Sequence, residues 1–121
     1  MAGTIAADTL THSSAGSLTT DFVVNGSAKC WANFKGSGTL TTRDTFNVSS
    51  MTDDGTGNYD ITFSNSMNND DYALAGAAYA RTVGMADNQF FTSYANIRVI
   101  DSGGSASDAG VITAMFMGDL A

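Results

Sequence analysis

The chain has no proline and no glutamate, and in 121 residues it has one cysteine, one histidine and one tryptophan. With Cys30 alone, no intrachain disulfide can form, so stability must come from packing or from assembly with other chains. One histidine, one cysteine and no glutamate cannot supply the usual ligand sets of a zinc or iron site within one chain. Basic residues are scarce: 5 Lys and Arg stand against 12 acidic residues, all of them Asp, for a net charge of -7. That charge repels phosphate backbones and anionic headgroups, making nucleic acid and membrane surfaces poor partners. No apolar run reaches the length of a membrane span, and no Lys or Arg precedes Lys29, so the positive region of a secretory signal is missing. The chain is expected to be soluble as translated.

Leu, Ile, Val and Phe number only 23 of 121 residues, near the level that accompanies disorder when charge is high. Charged residues are only 14%, however, and the apolar residues fall in short alternating runs that a disordered chain has no reason to keep. Thirteen glycines with abundant Ser, Thr and Asn favour turns, while the missing Glu removes a good helix former. The reading is an all-β protein: an antiparallel, jelly-roll-like β-sandwich of about 7–8 strands.

Residues 1–17 are small and polar and read as an N-terminal arm; residues 18–121 read as the sandwich domain. Strands are predicted over 18–24 and 28–34, joined by a hairpin turn at Asn25-Gly26. Further strands are predicted over 39–43 and 45–51, with Phe46 and Val48 pointing the same way, followed by a turn over 53–58. Tyr59, Ile61 and Phe63 alternate strictly with Asp60 and Thr62, the pattern of a strand with one buried face. Residues 72–81 read as a strand, with a helix as the rival because Asp70 and Asp71 precede the segment and Arg81 ends it. A loop over 82–88 and strands over 89–100 and 111–117 complete the set.

Few residues carry chemistry. His12 lies in the arm without a partner to orient it, and Cys30 shares a strand face with Ala28 and Ala32, where a thiol acts as a small apolar group. Asp53, Asp54 and Asp60 flank a glycine-containing turn and are weak calcium candidates; the EF-hand spacing and its Glu are absent, and an Asx-rich turn explains them as well. Among so many Asp residues no acid and base pair for glycoside hydrolysis stands out, and no phosphate-cradling glycine motif is present. No enzyme, cofactor or metal is therefore expected. Ring faces and amide side chains that grip sugars or protein partners remain, and the candidate ligand-binding residues are Trp31, Tyr79, Asn88, Phe90 and Tyr94, with Phe91 beside them. The 82–88 loop and the 53–58 turn are the expected recognition edges.

The stretch Ala28-Lys29-Cys30-Trp31-Ala32-Asn33-Phe34 is followed by Asn47-Val48-Ser49-Ser50 and then by Asp53-Asp54-Gly55-Thr56-Gly57-Asn58-Tyr59. This A-K-x-W-x-x-F, N-V-S-S and D-x-G-T-G-x-Y succession resembles a large group of bacteriophage virion proteins, common among tail fibres and other appendages, over roughly residues 17–72. The resemblance implies a non-enzymatic, β-rich structural domain, often at the end of a fibre, assembled as a homotrimer and facing the host surface. Its expected partners are further copies of itself, other virion proteins and a host surface glycan or protein. A short arm in place of a long fibre stalk also fits a head fibre or a capsid decoration protein that docks through the arm.

Overall fold

In a computed structural model of the protein, residues 3–121 are described, apart from the side chains of Asp87 and Asn88. The elements in chain order are β1 (Thr9–His12), β2 (Gly16–Thr19), α1 (Thr20–Gly26), β3 (Cys30–Lys35), β4 (Thr41–Phe46), β5 (Val48–Gly55), β6 (Asn58–Phe63), β7 (Ala73–Ala78), β8 (Thr82–Phe90), β9 (Tyr94–Ile100) and β10 (Ile112–Met117). Side chains alternate across a strand, and four strands use that alternation to build the core. Cys30, Ala32 and Phe34 of β3, Tyr59, Ile61 and Phe63 of β6, Ala95, Ile97 and Val99 of β9, and Ile112, Ala114 and Phe116 of β10 are all buried in one cluster. Edge-to-face ring contacts lock it, with Phe63 5.4 Å from Phe116 and Phe34 5.2 Å from Tyr59.

β3 to β10 form two four-stranded sheets with orders β4-β3-β10-β7 and β5-β6-β9-β8, every pairing antiparallel. The β-sandwich read from the sequence is thus the fold, and 72–81 supplies a strand rather than a helix. The core strands are central in each sheet, and the edge strands β4 and β5, like β7 and β8, are consecutive in the chain.

The chain therefore changes sheet at two edges, and each change uses a residue in the left-handed region: Asn47 (φ 57°) between β4 and β5, and Ala80 (φ 54°) between β7 and β8. Asn tolerates that backbone because its side chain bonds locally, and here Asn47 Oδ1 accepts from Asn65 N at 2.7 Å while Nδ2 donates to Asn65 O at 3.0 Å. Ala80 has no such compensation. The same substitution is expected to act with opposite sign at the two corners. Ala80→Gly should leave stability unchanged or raise it by up to about 1 kcal/mol, whereas Asn47→Gly should cost about 1–2 kcal/mol through the lost hydrogen bonds, both read from urea unfolding midpoints. Asn47 also corrects the expected alignment of Phe46 with Val48: the bend puts them in different sheets, Phe46 exposed and Val48 packed on the core.

The N-terminal region departs most from the sequence reading. β1 and β2 form their own hairpin, and of the strand expected over 18–24 residues 20–24 are helical, so Asn25-Gly26 ends a helix instead of turning a hairpin. Helix ends leave carbonyls unpaired; here Ser27 Oγ donates to Val23 O at 2.7 Å, and Lys29 Nζ donates to Val24 O and to Ser27 O. β3 finds its neighbours in β4 and β10, so residues 18–24 have no strand to pair with there. Residues 82–88, expected as a loop, belong to β8, which pairs with β9 from Thr82↔Ile100 to Met85↔Ile97. The span 89–100 is correspondingly two strands broken at 91–93, where Phe91 stacks on Tyr94 with centroids 4.5 Å apart. No helix of the described residues is long and apolar enough to cross a membrane.

Candidate functional site

The two outer faces of the sandwich differ in chemistry. On β5-β6-β9-β8 the register aligns Thr52, Asp60 and Asn96 in one row and Asn58 and Arg98 in the next. These are polar positions of the kind that an antiparallel sandwich turns to water. Asn96 is buried and donates from Nδ2 to Asp60 Oδ1 at 2.9 Å. Asp54 is held above the usual carboxylate range, first by partial desolvation and then by its hydrogen bond to Asp60 and the charges of Asp60 and Asp53. Asp54, Asn58, Gln89, Asn96 and Arg98, with Met85, line an open groove of about 590 Å³. Its carboxylates, amides and guanidinium suit hydroxyl-rich ligands, each group offering a donor or acceptor of fixed direction.

On β4-β3-β10-β7 the corresponding row is apolar. Phe46 pairs with Trp31, Trp31 with Met115, and Met115 with Ala75, so one apolar line crosses all four strands. Phe46 is 54% and Met115 44% exposed. Trp31, Asn33, Ala75, Ala77, Thr113 and Met115 bound a groove of about 500 Å³ there. Asn33 Oδ1 is buried and has no hydrogen-bond partner among the described residues. A buried acceptor left unpaired costs free energy, so this face is chemically incomplete in the isolated chain. Tyr79, 77% exposed at the β7–β8 corner, continues the surface past Ala77 and Thr113 to Val111.

The aromatic residues singled out from the sequence divide between the sheets. Trp31 and Tyr79 share the apolar face. Phe90 instead turns toward the core, stacked on Tyr72 at 4.8 Å with an 11° interplanar angle and edge-on to Phe116. Tyr94 is half-buried against Phe91 beside the β8–β9 turn, and the side chain of Asn88 lies outside the described residues. Phe46, Met115 and the groove residues Asn96 and Arg98 were not singled out. Their roles depend on cross-strand register, which a single strand's pattern does not specify.

The reactive groups are occupied by structure. His12 Nδ1 accepts from Ala15 N at 3.0 Å and Ser14 N at 3.2 Å, closing the β1–β2 turn. Cys30 is fully buried, and burial pushes its thiol up to about 12, so the nucleophilic thiolate is scarce at neutral pH. Asp53 Oδ1 accepts from Gly55 N at 3.0 Å as in an Asx turn. Among the described residues no three His, Cys, Asp or Glu side chains group closely enough to hold a metal ion.

Asp108, which the sequence did not mark, organises the β5–β6 turn. Its Oδ1 accepts from Gly57 N at 2.8 Å and from the Tyr59 hydroxyl at 2.7 Å. Burial, then the hydrogen bond and charge of Asp108, raise the Tyr59 phenol above its ordinary range. No family model matches the chain, and no curated protein or solved structure matches it.

Proposed function

We propose that the protein is a bacteriophage virion component, a homotrimeric tail-fibre or appendage domain that takes part in host attachment by binding a surface receptor without catalysis. The observation that carries this reading is the division of labour between the outer faces: an apolar row suited to burial against other virion chains, and a hydroxyl-binding groove on the opposite side. The likeness of residues 17–72 to phage virion sequences supports it, as does a shortage of aliphatic residues that assembly offsets. A surface glycan, read by Asp54, Asn96 and Arg98, is the receptor chemistry best matched to the groove.

The exposed N-terminal segment favours a second reading, a capsid decoration or head-fibre protein anchored through that segment. Gold-labelled antibody on intact virions decides between them. Label on tail fibres is the expected result, label over the head establishes decoration, and virions that carry no label overturn both. For the attachment reading, Asp54→Ala with Arg98→Ala is expected to lower binding of the purified protein to host cells at least 10-fold; undiminished binding would remove the groove from the receptor site.

A further inference from the structure

Two apolar surfaces of this chain remain open in the same structure: the outer groove of β3, β10 and β7, and the N-terminal segment. Every described residue from Gly3 to Gly26 except Thr20 is exposed, and the segment presents Leu10, Leu18, Phe22, Val23 and Val24 to solvent, Phe22 at 68%. A compact monomer of 12.5 kDa exposes about 6,200 Å². This chain exposes 7299 Å². The excess of roughly 1,100 Å² matches what one partner contributes to a standard interface, about 800 Å².

We infer that residues 9–26 of one copy cover the outer groove of β3, β10 and β7 on a second copy, with Phe22 seated against Trp31 and Met115. The chain's own segment is tied elsewhere. Lys29 Nζ holds the Val24 and Ser27 carbonyls, Ser27 Oγ holds Val23 O, and Lys29 N donates to Phe116 O at 2.8 Å. Those bonds fix the end of α1 beside the beginning of β3, and in this structure no residue of α1 lines the groove, Phe22 remaining exposed. The segment also fits chemically. Its one charged residue is Asp21, and the groove face carries Lys35 on the same side of β3 as Trp31 and Asn33, with Asp44 of β4 opposite Asn33. The opposite face presents Asp54 and Asp60, which repel it. A contact between two different surfaces is head-to-tail and closes into a ring when the rotation between copies permits.

The inference rests on self-association but not on a virion location. Its test is the full chain carrying Phe22→p-benzoylphenylalanine, with ordinary and ¹⁵N-labelled chains unfolded and refolded together, irradiated, digested with trypsin and weighed by mass spectrometry. Expected are cross-links joining light and heavy chains at residues 30–35 or 99–121. Cross-links confined to chains of one isotope mean that the segment folds back on its own groove, which overturns the exchange. An oligomer by light scattering without groove cross-links overturns it while leaving self-association intact; a monomer at all concentrations removes both. In the unmodified background Met115→Asp, on an exposed position, should weaken association at least 10-fold while the circular dichroism of the folded chain is kept, and unchanged association would count against the groove.

Discussion

Gly57→Ala is expected to lower the unfolding free energy by roughly 4 kcal/mol, a large share of the ~5–15 kcal/mol that holds a typical domain together. Gly57 has φ 68°, and a Cβ there meets Val99 O and lies 2.7 Å from Ser107 N. Both obstacles are backbone, so no side-chain rotation relieves them. The residue is also bonded through both of its peptide groups: its N–H donates to Asp108 and its carbonyl accepts from Val99 N at 2.7 Å. Displacing it loosens the β5–β6 turn, β9 and the segment that carries Asp108 together. Gly38→Ala isolates the conformational part, since Gly38 has φ 70° and open space around it; it should cost only about 1 kcal/mol. Urea titrations of the two variants measure the difference. Equal losses would show that the close approach at Gly57 relaxes freely.

Alkaline pH is the second strong lever. Three acids are buried in the fold with their neutral forms favoured: Cys30, raised from 9.0 to about 12, and Tyr59 and Tyr72, both raised above the ordinary 10. For Tyr72 burial dominates, and its hydroxyl donates to Phe91 O at 3.0 Å. An acid whose folded pKa is raised keeps the folded state protonated after the unfolded chain has lost its proton. Its stabilising contribution is therefore complete below the unfolded pKa and is lost as pH rises toward the folded one. Stability should hold up to about pH 9 and then fall, with Cys30 alone removing about 3 kcal/mol by pH 11. Cys30→Ala, which keeps a small apolar group on β3, should flatten the fall between pH 9 and 11, leaving the later tyrosine component. A urea midpoint that stays constant from pH 7 to 11 would contradict the assignment.

The strands most legible in the sequence are those whose environment is asymmetric. Tyr59, Ile61 and Phe63 face the core while Asp60 and Thr62 face the half-wet outer side, so burial wrote a period of two into β6. The weakly contrasted run Ala73–Ala78 is an edge strand that packs mainly through Leu74 and Ala78, and its type followed from its neighbours. Phe22, Val23 and Val24 misled because β-branched residues before Asn-Gly satisfy every local rule for a hairpin, whereas no adjacent strand is present to accept them. Residues 82–85 read as loop for the converse reason: pairing with β9 overrides the turn preference of Gly84. At the site, Trp31 was visible as an aromatic on the polar side of its strand. The line from Phe46 to Ala75 was not, because it is assembled from β4, β3, β10 and β7, which are far apart in sequence.

The pairing of β3 with β10 has a mechanical consequence. They lie side by side and antiparallel, with Cys30 opposite Phe116, so the chain enters and leaves the sandwich at one pole. A load drawn between residue 29 and residue 117 acts at that pole and peels the strands apart one bond pair at a time, beginning at the Lys29 to Phe116 link. Force transmitted through only one of the two ends does not cross the sheets.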